Sequence, residues 1–92
     1  MTHDINTTLN ERGERYGTFR KHAEVSQAFK ELLLHALMDR EKELACDQQE
    51  ALDMIFHKIA RIVNGDPDYA DSWHDIAGYA QLVADRLNGN AR

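Results

Sequence analysis

A chain of 92 residues holds one domain with a modest core, and it is short enough that a second subunit commonly completes the burial. Its 11 Lys and Arg against 16 Asp and Glu give a formal charge of -5, so no basic field offsets repulsion from nucleic acid or an anionic membrane. Nucleic-acid and membrane partners are therefore excluded as expectations, and a homodimer is predicted.

No apolar run reaches membrane-spanning length, and the start MTHDINTTLNERGERYG has neither the apolar stretch nor the cleavage site of a secretory signal. The expected compartment is the cytoplasm. The single cysteine, Cys46, has no Cys-x-x-Cys companion for redox or zinc chemistry and reads as an incidental thiol.

Residues 1–17 are expected to form a partly irregular N-terminal segment, frayed or weakly helical over 1–12, because Gly13 and Gly17 bracket Glu14-Arg15-Tyr16 and interrupt any helix. Residues 18–92 then make a single helical domain. A first helix is predicted from Thr18 to Asp39, where His22, Val25, Phe29, Leu32, Leu33 and Ala36 recur at three-to-four spacing.

The second helix is expected to open at Asp47, as N-cap, with Glu50 completing a capping box, and to end near Val63. Leu52, Ile55, Phe56, Ile59, Ile62 and Val63 fall in a sector of about 120°, with Glu50, Asp53, His57 and Arg61 on the opposite side. Asn64-Gly65 supplies a left-handed closure, and Pro67 prevents continuation.

Ser72-x-x-Asp75 reads as the capping box of a third helix, whose apolar side is Trp73, Ile76, Ala77, Ala80, Val83, Ala84 and Leu87 and whose end is Asn88-Gly89. The short connection makes the last two helices an antiparallel hairpin. Gly78 inside the third helix costs about 1 kcal/mol relative to alanine, which predicts close packing there. The expected fold is all-α, with three main helices in a dimeric bundle.

Three groups of residues carry candidate chemistry. Glu50, Asp53 and His57 share one face of the second helix, either as a cation-binding row or as a solvated polar face. Across the hairpin turn, Lys58 and Arg61 oppose Asp71 and Asp75. That set is either an ion-pair network pinning the hairpin or a site in which the aspartates carry Mg2+ and the cations meet phosphate. Arg15-Tyr16-Gly17 either clamps a base and a phosphate or staples the entering chain to the core. His57, Arg61, Asp75, Trp73 and Gly78 form the expected structural network. No phosphate loop or catalytic triad is evident.

The stretches ERYGTFRKHAEVSQAFK and ALDMIFHKIARIVNGDPDYADSWHDIAGYAQLVADRL, covering nearly all of residues 11–87, resemble a family of small phage and prophage proteins of uncharacterised function. The shared features are an Arg-Tyr-Gly segment before a helix, and a Lys-Ile-Ala-Arg helix followed by Asp-Ser-Trp-x-Asp-Ile-Ala-Gly-Tyr. A phage-encoded protein would act in the cytoplasm of a bacterial host.

A more distant similarity is to the MazG-like all-α nucleotide pyrophosphatases. It implies a nucleotide ligand near Arg15, Tyr16, Lys58 and Arg61, and Mg2+ on the carboxylates of Glu50, Asp53, Asp71 and Asp75. The Glu-Glu-x-x-Glu and Glu-x-x-Asp rows of those enzymes are not intact here. The alternative is a non-catalytic phage accessory or inhibitor module that binds a host or phage protein.

Overall fold

The structure, a computed structural model, describes residues 4–92 and contains four helices among them: α1 (Ile5–Tyr16), α2 (Phe19–Asp39), α3 (Cys46–Asn64) and α4 (Ala70–Leu87). The all-α expectation holds, while the count differs because α1 is a regular helix where an irregular segment was expected. Residues 1–3 of the expected frayed start lie outside the described residues. The carboxylate of Asp4 caps α1 by accepting from the Thr7 amide at 2.8 Å, and that bond holds the Asp4 carboxyl below its ordinary value. Gly13 is passed over within the helix, and Gly17, at φ 78°, ends it.

The second element matches its expected bounds, with Thr18 as the extended N-cap residue. The next helix has its N-cap two residues earlier than its capping signal implied. Ala45 occupies the N-cap position, and its amide donates to Gln48 Oε1 at 2.9 Å. Asp47 is instead drawn to α4, where Arg86 donates Nε to Oδ2 at 2.7 Å and Nη2 to Oδ1 at 2.6 Å.

The fourth helix likewise starts before Ser72, with Tyr69 at the N-cap position, so the Ser72–Asp75 capping box does not form. Ser72 is buried inside the first turn, and Asp75 reaches across to Lys58. Gly65 closes α3 at φ -132°, so it serves a close approach and not a left-handed turn.

The pairs Asp47–Arg86 and Lys58–Asp75 run in opposite chain directions, as an antiparallel α3–α4 hairpin requires. On the other edge of α3, Phe29 stacks on Phe56 with centroids 5.5 Å apart, and His22 meets His57. Helices α2 and α4 do not touch. The result is a flat layer, α2–α3–α4, with α1 laid on α2 and α3.

At 100° per residue, the strip of α3 that meets α4 (Asp47, Lys58) and the Phe56 position that meets α2 lie about 160° apart, which leaves two open sectors on α3. One carries Glu50, His57 and Arg61, and α1 packs over part of it. The other carries Leu52, Ile55 and Ile59, each half-buried, and Val63, which is exposed.

Burial reflects this geometry. The only buried apolar residues among those described are Ala51 and Ala60, and no large side chain is fully enclosed. The radius of gyration, 15.5 Å, exceeds the roughly 12 Å of a compact domain of this length. No helix among the described residues is long and apolar enough to cross a membrane.

Candidate functional site: an arginine, tyrosine and histidine cleft

The Arg-Tyr-Gly segment is joined to the α3–α4 turn by backbone bonds. Asn64 donates from Nδ2 to the carbonyls of Tyr16 at 2.9 Å and Thr18 at 3.0 Å, and the Asp66 amide donates to Arg15 O at 2.7 Å. A Cβ on Gly17 would strike Asn64, and one on Gly65 would strike the Arg15 carbonyl and Tyr16. Two glycines are therefore needed because two backbones touch.

Above this seam the side chains stack alternately. The Arg61 guanidinium lies 4.2 Å from the Tyr16 ring centre, Tyr16 meets Tyr69 edge-on at 6.2 Å, and Arg15 covers Tyr69 at 4.4 Å. Each cation is held against the negative face of a ring, which orients it without neutralising its charge. Tyr69 also donates to Asp71 Oδ2 at 2.8 Å, and the carboxylate raises the phenol's pKa by favouring its neutral form.

Beside the stack, a cleft of about 540 Å³ opens between α1, α2 and α3. Leu9, Tyr16 and Phe19 give it apolar and aromatic walls, Arg12 and Arg61 give it positive charge, and His22 and His57 lie at its inner side. Phe19 is 78% exposed and stacks on His22 at 5.9 Å, so it is a ring held at the surface.

His22 Nε2 and His57 Nδ1 are 3.1 Å apart, which makes one nitrogen the donor and the other the acceptor. The buried His22 Nδ1 has no partner. The arrangement that orphans only an acceptor has His22 donating, which leaves the proton of His57 on Nε2. Burial first, and then the charges of Arg61, Lys30 and Lys58, hold both imidazoles neutral; His57 is lowered to about 4.

The expected site residues are distributed as follows. Of Arg15, Tyr16, Lys58 and Arg61, the cleft takes Tyr16 and Arg61. Arg15 stacks outside it, and Lys58 is buried against Asp75 at 2.9 Å. Arg61 influences Asp75 only as a more distant charge, so the hairpin ion pair is made by Lys58 and not by Arg61.

The four candidate metal ligands point to separate partners: Asp53 accepts from Gln49 at 3.0 Å, Asp71 from Tyr69, and Asp75 from Lys58, while Glu50 lies beside a second cleft with Tyr79 and Arg86. Among the described residues, no group of three His, Cys, Asp or Glu side chains is placed to hold a metal ion.

Trp73 donates Nε1 to Pro67 O at 2.8 Å, which accounts for the lone tryptophan beside the lone proline. The close packing expected at Gly78 is absent, since a Cβ there would meet nothing within 4 Å. Sequence reasoning missed Arg12, Phe19 and His22 as cleft residues. Their spacing of seven and three was visible only once α1 was known to fold onto α2.

No curated protein and no solved structure matches the chain. A family model described as a domain of unknown function, DUF6378, matches residues 2–87, and it takes in all four helices and the seam between Arg-Tyr-Gly and Asn-Gly-Asp. The chain belongs to the DUF6378 family.

Proposed function

We propose that the protein binds a nucleotide-type ligand, a planar base carrying phosphate, in the cleft between α1, α2 and α3. The observation that supports this reading is the joint presence there of the exposed Phe19 ring beside Tyr16 and of two arginines with no carboxylate among the lining residues. Phe19 offers a stacking surface for a base, and Arg12 and Arg61 offer forked donors to phosphate oxygens. The neutral His57 adds an Nε2–H donor without fixed charge. On this reading, and on the phage resemblance, the protein is a phage-encoded nucleotide binder in the cytoplasm of its host.

A MazG-like hydrolysis would require Mg2+ on Glu50, Asp53, Asp71 and Asp75. The carboxylates do not converge within the chain, so the donor set does not fit the ion, and the reading stops at binding. An accessory module that docks a host or phage protein is the second reading, favoured by Trp73, which stands 56% exposed at the tip of the hairpin beside Pro67.

Thermal denaturation with nucleoside mono-, di- and triphosphates tests the first reading, because a ligand at one hundred times its dissociation constant adds about 2.7 kcal/mol. Arg12→Ala should weaken binding roughly ten-fold or more without loss of stability, since Arg12 is exposed. No shift with any nucleotide, with or without magnesium, removes the reading and leaves the docking module.

A further inference from the structure

The layer α2–α3–α4 has two broad sides, and they differ chemically. The side under α1 holds the cleft and the charged residues Glu50, Lys58 and Arg61. The opposite side is apolar on α3 and α4, while on α2 Leu32 is its one exposed large apolar residue, flanked by Lys21 and Asp39.

On α3 it is the apolar sector of Ile59, half-buried, and Val63, 64% exposed. On α2 the Phe29–Phe56 stack marks the same rim, and the steps from Phe29 place Leu32, 67% exposed, beside it. On α4 the ion pairs of Asp75 and Arg86 mark the polar rim. The opposite rim, at steps of four and three, runs from Trp73 through small alanines to Leu87, itself 59% exposed.

We propose that this apolar side is the self-association surface, so that two copies pack layer against layer with both clefts facing outward. Three observations commit the face to a second copy. First, the chain alone fully encloses no large apolar side chain among those described, so its core is incomplete until a face of like character is added. Second, the molecule measures 45 × 31 × 23 Å, and its broad side exceeds the ~800 Å² per partner that a stable dimer buries. Third, the strips on α3 and α4 carry no charged side chain, and the two charges that flank Leu32 on α2, Lys21 and Asp39, are of opposite sign, so a two-fold pairing of the face with itself brings in no excess of one charge.

This inference is independent of the ligand reading, and it has a consequence for metal chemistry. Glu50 and Asp75 lie on the cleft side, so pairing through the apolar side keeps the carboxylates of the two copies on opposite outer surfaces. The dimer therefore does not complete a shared carboxylate site.

The test is mass by sedimentation equilibrium on the full chain, read together with helical circular dichroism. The wild type is expected at twice its 10.6 kDa chain mass. Leu32→Glu and Val63→Lys change side chains already exposed in the single chain, so they should keep helical content and sediment as monomers. Leu34→Glu, exposed to a similar degree on the other rim of α2, should remain dimeric.

Trp73 is the only tryptophan, and its emission should shift to shorter wavelength as the wild type associates on concentration. A wild type that stays monomeric at roughly 100 µM, some hundred-fold above a micromolar dissociation constant, overturns the proposal. So does a dimer that survives both face substitutions, or one that Leu34→Glu dissociates while Leu32→Glu does not. Nucleotide binding by a monomeric Leu32→Glu variant would separate the two readings.

Discussion

Lys58 Nζ lies 2.9 Å from Asp75 Oδ2, with the lysine side chain 11% exposed and the aspartate 48%. The asymmetry decides what the pair does. Lys58 gives up nearly all its hydration, whereas Asp75 keeps half of its own, so the aspartate neutralises a cation that cannot reach water. The lysine in turn holds the Asp75 carboxyl below its ordinary value.

Asp75→Asn should therefore lower the melting temperature, because it strands the ammonium. Lys58→Met in the same chain should restore it, since an unbranched apolar side chain fills the same volume with no charge to satisfy. If Asp75 acted chiefly as one of several repelling carboxylates, its amide would raise the melting temperature instead. Thermal melts of the two single variants and the double variant distinguish the outcomes.

The two kinds of glycine make opposite predictions. Gly17 has φ 78° and contacts Asn64, so Gly17→Ala adds both backbone strain and a clash against main chain, and should cost about 2–4 kcal/mol. Gly13 sits within α1 with open space where a Cβ would go. Gly13→Ala should stabilise the chain by about 0.5–1 kcal/mol through helix propensity. Urea unfolding of both variants checks the pair, and equal effects of the same sign would contradict the seam.

Several of these relationships were legible in the residues and several were not. The bounds of α2 follow from an apolar period over about six turns, a signal that needs no tertiary context. Helix α1 has only Ile5 and Leu9 as large apolar residues before Gly13, and none of its residues is buried. Its place depends on the remote seam of Tyr16 and Gly17 with Asn64 and Gly65, which no local pattern encodes.

The capping signals misled for a related reason. Asp47 and Asp75 have the right spacing for local caps, but each has a cation within reach on the facing helix, and a charge-assisted contact takes the carboxylate. The apolar sector of α3 was read correctly as apolar. That Leu52, Ile55 and Ile59 are only half-buried and Val63 is exposed depends on α2 and α4 occupying opposite edges of α3, which is a fact of assembly.

The cleft also predicts the acid sensitivity of the fold. His57 is lowered to about 4 in the folded chain, while an unfolded histidine titrates near 6.5, so between those values the unfolded state binds the extra proton. The stabilisation from keeping the ring neutral is complete above about pH 6.5 and is lost as pH falls toward 4.

His22 shifts the same way, and Arg61, Lys58 and Lys30 are the cations that oppose charging of either ring. Discounted for partial exposure, the loss should be about 1–2 kcal/mol. The lowered carboxyls of Asp47 and Asp75 add their own acid loss only near and below the unfolded carboxylate range, around pH 4, so the interval from 7 to 4.5 belongs mainly to the histidines. Unfolding free energy measured across that interval should fall in the wild type and fall less steeply in His57→Gln, which keeps a polar side chain but cannot titrate and leaves His22 as the remaining lowered ring. An unchanged slope in the variant would place the acid sensitivity elsewhere and remove the neutral histidine pair from the account of the cleft.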